Sequence, residues 1–255
     1  RASECVKQLL TAQPDLAEAH YLAGLIARQL KDRNTAIRAF GNATKLDPDH
    51  PAAHAHLAQI FMMAGQPNHG FNALKLAIRN ENGDARVQNL IGNVYFRLGE
   101  QGAALEWYAR AAANQPGNPG FLVDHANSLK FHGRREQANS EIRKALNLRA
   151  DISQAHWILS SLNRANTDDH VVEMRSLASQ TGLHPQEAAF LHYAMGKELE
   201  DLERWEEAFE AFRQGAQANR SVTEYDENSE IEMFRALENV YTEEWLEQKA
   251  PGLAD

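Results

Sequence analysis

A chain of 255 residues with 43% hydrophobic, 24% charged and 8% aromatic side chains has the balance of a globular protein with a core, neither disordered nor fibrous. No apolar run approaches the roughly 20 residues of a membrane span, Arg1-Ala2-Ser3-Glu4 opens without a signal-peptide core, and Cys5 alone supplies neither an internal disulfide nor a multi-cysteine zinc site, which leaves the cytoplasm as the default compartment. The net charge of −9 argues against general nucleic-acid binding; the excess is local, residues 186–247 carrying 17 Asp+Glu against 5 Lys+Arg, a face that is either solvated or turned to a basic partner.

In chain order, residues 1–16 place Ala2, Val6, Leu9 and Pro14 in the register of a second helix, so the chain is expected to begin partway through a repeat. Residues 17–152 align without gaps as four units of 34 residues, 17–50, 51–84, 85–118 and 119–152. The eighth place holds Gly24, Ala58, Gly92 and Ala126, the twentieth Ala36, Gly70, Ala104 and Ala138, and the twenty-seventh Ala43, Ala77, Ala111 and Ala145. Such small side chains let two helices approach, and Phe40, Leu74, Tyr108 and Ile142 at the twenty-fourth place fill the space beside them. Breaks at Lys31-Asp32-Arg33-Asn34, Gly65-Gln66-Pro67, Gly99-Glu100-Gln101 and Gly133-Arg134-Arg135 divide each unit into helix–turn–helix. Pro48, Pro116 and Pro119 mark the joints between units. Residues 153–188 start a fifth unit, with Leu159 and Ser160 in register, and then depart from it, 168–180 reading as an irregular helix before Gly182. Register returns over 189–222 at Ala189, Gly196, Ala208, Phe212 and Gly215; in the remainder, 223–255, the stretch 226–248 reads as one or two acidic helices capping the stack, with a linker after them.

The period, the small-residue places and the Pro48 and Pro116 breaks resemble tetratricopeptide repeats. The resemblance implies an all-α, right-handed superhelical solenoid of helix–turn–helix repeats with a C-terminal capping helix, whose long concave surface binds a protein or peptide partner. In that family places two, five, nine and twelve of each first helix look into the groove. Here they are Glu18, Tyr21, Leu25 and Arg28, then Ala52, Ala55, Gln59 and Met62, then Arg86, Asn89, Asn93 and Phe96, then Gly120, Val123, Asn127 and Lys130, and in the fifth unit Gln154, Trp157, Ser161 and Arg164. The expected peptide-binding set is Arg86, Asn89, Asn93, Arg97, Asn127, Lys130 and Arg164. An asparagine offers a donor and an acceptor and pairs with an extended backbone whatever its side chains; the basic residues favour an acidic segment or a chain-end carboxylate. The competing reading is a wet polar groove with no single ligand. The family's carboxylate clamp for chaperone tails is not expected, because Asp124 stands where it needs asparagine, and Gln154 and Ile158 where it needs lysine and arginine.

No catalytic, cofactor or metal residue is expected. His20, His54, His156 and His192 all fall at the fourth place, where recurrence speaks for packing rather than metal ligation. His-Glu-x-x-His, GxGxxG, phosphate-loop and nucleophile-elbow motifs are absent. Trp107, Trp205 and Trp245 read as core or cap, and Cys5 as a small apolar residue. The run Leu191-His192-Tyr193-Ala194-Met195-Gly196-Lys197-Glu198-Leu199-Glu200-Asp201-Leu202, continued by Trp205-Glu206-Glu207-Ala208-Phe209, Gly215, Asn219-Arg220 and Tyr225-Asp226, is similar to the last repeat and connecting helix of bacterial tetratricopeptide-repeat sulfotransferases. That likeness implies the docking or substrate-selecting region of a larger enzyme, its phosphosulfate loop beyond Asp255. Three functions stay open: a peptide-binding module, that enzyme region, and a structural scaffold self-associating through its incomplete first unit.

Overall fold

The computed structural model describes residues 2–223 and 225–245. They form helices only: α1 (Ala2–Ala12), then α2 (Ala17–Gln29) with α3 (Arg33–Leu46), α4 (Pro51–Met63) with α5 (Pro67–Arg79), α6 (Ala85–Arg97) with α7 (Gln101–Asn114), and α8 (Pro119–Phe131) with α9 (Arg135–Leu148). There follow α10 (Ser153–Leu162), α11 (Asp169–Ala178), the pair α12 (Pro185–Asp201) and α13 (Trp205–Arg220), and α14 (Glu227–Val240). Each pair packs within itself, and first helices also stack on one another, α4 on α6 and α8 on α10. The product is the expected all-α superhelical stack of hairpins.

Helix starts are written in the local sequence. Asp32, Asp84 and Asn118 accept backbone N–H bonds from Thr35, Arg86 and Gly120, satisfying donors that a first turn leaves free. Pro51, Pro67, Pro119 and Pro185 occupy first turns, where a missing N–H costs nothing. The first helices of three pairs end at Gly65, Gly99 and Gly133 in the left-handed region, and the equivalent joints elsewhere put Lys31 (φ 60°) and Glu203 (φ 59°) there.

The small-residue code is a complementarity of pairs. A Cβ on Gly24 would stand 2.6 Å from the Phe40 ring, one on Gly92 2.8 Å from Tyr108, and one on Gly196 2.7 Å from Phe212, so each aromatic ring at the twenty-fourth place packs directly against a glycine at the eighth. Where the twenty-fourth residue is aliphatic, Leu74 or Ile142, the eighth is alanine, Ala58 or Ala126, and all four are buried. Hairpin after hairpin keeps the summed volume while trading one methyl group for a ring.

The fourth-place histidines tie each unit to the loop before it. The Nε2–H of His20, His54 and His156 donates to the carbonyls of Pro14, Pro48 and Ala150, six residues back, at 2.8, 2.8 and 2.7 Å. His56, buried and stacked on Phe40 with ring centroids 4.9 Å apart, has its pKa pushed down to about 3 by burial, with Arg28 and His50 adding to the effect.

The period breaks where the sequence departs from it. After α10 the short α11 packs on α12, and α10 packs on α12 as well. Val171 and Met174 of α11 enter the core that α12 and α13 share. Trp107 is buried as expected, whereas Trp205 and Trp245 are exposed, Trp245 packing edge-on against the Tyr241 ring at 4.8 Å. None of the residues of α14 is buried, and Ile231, Phe234 and Leu237 remain exposed along it. The expected linker at 249–255 lies outside the described residues.

Candidate functional site

An open groove of about 1000 Å³ runs from the α4–α5 turn across α6 and α8 to the start of α10. Its lining includes Met62, Met63, Pro67, Asn93, Phe96, Arg97, Asp124, Asn127 and Gln154, with Tyr108 reaching in from α7. Helical spacing explains the convergence: Asn93 and Arg97 are four apart on α6, Asp124 and Asn127 three apart on α8, so each pair shares one face.

Of the seven expected contact residues, Asn93, Arg97 and Asn127 line this groove together. The Asn93 side-chain oxygen accepts the Tyr108 hydroxyl at 3.0 Å, which orients its amide; burial raises the Tyr108 pKa, and the hydroxyl remains a donor. Asn89 is buried and outside this lining, and its amide donates to the Asp124 carboxylate at 2.9 Å, tying α6 to α8. Three basic residues lie outside the lining. Arg86 is exposed and pairs with Asp84 of its own helix start at 3.1 Å; the Lys130 ammonium, its pKa lowered by burial, donates to the Ser161 hydroxyl at 3.3 Å; Arg164 is exposed beyond the groove.

Sequence reasoning missed Asp124 and Tyr108. Burial raises the Asp124 carboxyl pKa, and the Asn89 amide partly offsets it. Its position was visible only as a mismatch to a known clamp, and Tyr108 only as a packing residue. The groove therefore has amides at its middle, thioethers and a phenyl ring at one side, and one charge of each sign in Arg97 and Asp124.

The acidic C-terminal face is partly paired within itself. Glu207 meets Arg204 at 2.7 Å and Arg175 at 3.4 Å, and Glu210 meets Arg213 at 2.7 Å, in pairs exposed enough that each adds little to stability. Among the described residues no helix is long and apolar enough to cross a membrane.

Residues 5–151 match the family model described as tetratricopeptide repeat. The small glutamine-rich tetratricopeptide repeat-containing protein 2 of Mycosarcoma maydis is 29% identical over 106 residues, 41% of this chain and 30% of that protein. A TPR repeat-containing thioredoxin of Arabidopsis thaliana is 34% identical over 82 residues, 32% of this chain and 12% of that protein. The chain thus spans less than a third of the length of these curated relatives. Among solved structures, pilF of Pseudomonas aeruginosa superposes with a TM-score of 0.59 at 20% identity, covering 86% of this chain and 96% of that one, a likeness of fold alone. Repeats of this kind generally mediate protein–protein interactions and are typically non-catalytic. With more than half its length matched and the helical hairpins in place, the chain belongs to the tetratricopeptide repeat family.

Proposed function

We propose that this chain is a protein-interaction module whose concave groove binds an extended peptide segment across α6 and α8. The observation that carries the reading is the convergence of Asn93, Asn127 and Gln154 from three successive first helices on one open trough. Side-chain amides at that spacing pair with successive backbone N–H and C=O groups. Met62 and Phe96 give an apolar side chain of the segment a place to pack. Arg97 receives a carboxylate and Asp124 an N–H or a cation, so the expected preference for an acidic segment narrows to the position beside Arg97.

The test is a peptide selected from a displayed random library on the immobilised chain. Asn93→Ala combined with Asn127→Ala is expected to weaken its Kd about 30-fold, from two hydrogen bonds of about 1 kcal/mol each. Tyr108→Phe controls for the hydroxyl that Asn93 releases and is expected to leave the affinity nearly unchanged. Equal binding by the double variant and the parent chain overturns the reading. The likeness of the run from Leu191 to Asp226 to sulfotransferase-linked repeats supports a second reading, a docking arm of a larger enzyme. Reading the coding sequence past Asp255 for a phosphosulfate-binding loop tests it.

A further inference from the structure

His156 and His170 stand with ring nitrogens 2.8 Å apart, His156 Nδ1 facing His170 Nε2. The outer nitrogens of both rings are already committed. His156 Nε2–H donates to the Ala150 carbonyl at 2.7 Å, and His170 Nδ1–H donates to Glu198 Oε1 at 2.7 Å, an oxygen that also accepts from the Ser160 hydroxyl at 2.6 Å. When both imidazoles are neutral, each carries its one N–H on the outer nitrogen and the two facing nitrogens are both lone pairs. Something positive must lie between or beside them. Glu198, which backs His170, is 5% exposed and its second oxygen has no hydrogen-bond partner. Glu173, one turn beyond His170 on α11, brings a carboxylate oxygen to within 4.8 Å of both nitrogens, and these three make the one such cluster of potential metal ligands among the described residues.

We propose that His156 Nδ1, His170 Nε2 and the Glu173 carboxylate bind one divalent transition-metal ion of the zinc class, with water in the fourth position. Two imidazoles and a carboxylate form a donor set that such ions accept. A carbonyl behind one ring and a carboxylate behind the other fix both tautomers and aim the lone pairs inward, as is usual for imidazoles that hold metals. Two nitrogens on a tetrahedral ion sit about 3.3 Å apart, so the rings need to part by roughly half an ångström. That shift falls on His170 near the start of the short α11, which a loop joins to α10. His20 and His54 make the same bond to a carbonyl six residues back, yet the cluster forms at His156 alone. His170 and Glu173 come from the segment that departs from the repeat, and the ion would clamp that segment onto α10.

Cobalt(II) and zinc(II) titrations of the full chain, carrying Cys5→Ser to remove an exposed soft ligand, test the site. The expected result is one equivalent of cobalt bound with the visible bands of a four-coordinate nitrogen–oxygen site, displaced by zinc. His170→Ala should weaken binding about 100-fold or more, and Glu173→Gln roughly tenfold to 100-fold. His20→Ala should leave it unchanged. Glu173 is exposed, so Glu173→Gln keeps the test sound if His170→Ala fails to fold. No stoichiometric binding, which would mean that an extra proton bridges the rings, overturns the proposal. Affinity unaffected by either ligand substitution overturns it equally.

Discussion

The pairing of Gly24 with Phe40 shows how much of this fold depends on single methyl groups. A methyl added at Gly24 meets a ring that is itself fully enclosed and stacked on His56, so it cannot swing aside. Gly24→Ala is expected to destabilise by about 1–3 kcal/mol in urea unfolding. Phe40→Leu in that background recreates the Ala58–Leu74 combination and should recover part of the loss, giving a coupling of about 0.5–3 kcal/mol in the double-mutant cycle. Strict additivity of the two changes would contradict the complementarity. Asp124 offers a second residue-level test. Burial raises its carboxyl pKa, so the folded chain holds that proton more tightly than the unfolded one. The resulting stabilisation is present below the unfolded carboxyl's pKa and is lost as pH rises through the raised value. Asp124→Asn, which still accepts the Asn89 amide, should be more stable than the parent near neutral pH, the two curves converging in acid. A parent chain that is the more stable at neutral pH would show that Asp124 is held as a favourable anion.

At the scale of the helix, most boundaries were legible because they rest on local chemistry. Capping residues, first-turn prolines and left-handed glycines each act within one turn, and a fixed period repeats them at known intervals. Lys31 and Glu203 are the exceptions, side chains holding a backbone conformation in which glycine is at ease. Lys31→Gly and Glu203→Gly should each stabilise by roughly 0.5–1 kcal/mol, the relief of left-handed strain exceeding the added freedom of the unfolded chain; lower urea midpoints would contradict this. What was not legible depended on contacts between elements. Asn89 stood at a groove-facing place, but its amide is engaged by Asp124 on α8, 35 residues away. Arg86 reads as a free cation until Asp84, the cap of its own helix, engages it. The segment after α10 lacked the period, and with it any register from which to place His170 beside His156. Trp205 kept helical spacing and is exposed all the same, because spacing alone does not supply a neighbour to bury it.

Over the four regular units the trough follows from the repeat itself, because a small rotation per stacked hairpin curves the array and leaves one side concave. The first helices face that side, so side chains recurring every 34 residues converge there although they are remote in sequence. This convergence was readable from the period. The identity of the lining was readable only in part: Asn93, Arg97 and Asn127 were anticipated, while Asp124 and Tyr108 needed the structure. Hydrogen–deuterium exchange of the full chain, with and without the library-selected peptide, tests the central claim most directly. Slower exchange is predicted in the segments spanning α6, α8 and the α4–α5 turn, with α9 and α13 unchanged. Slowing confined to α13 and α14, with α6 and α8 unaffected, would place the partner on the acidic end and contradict the account.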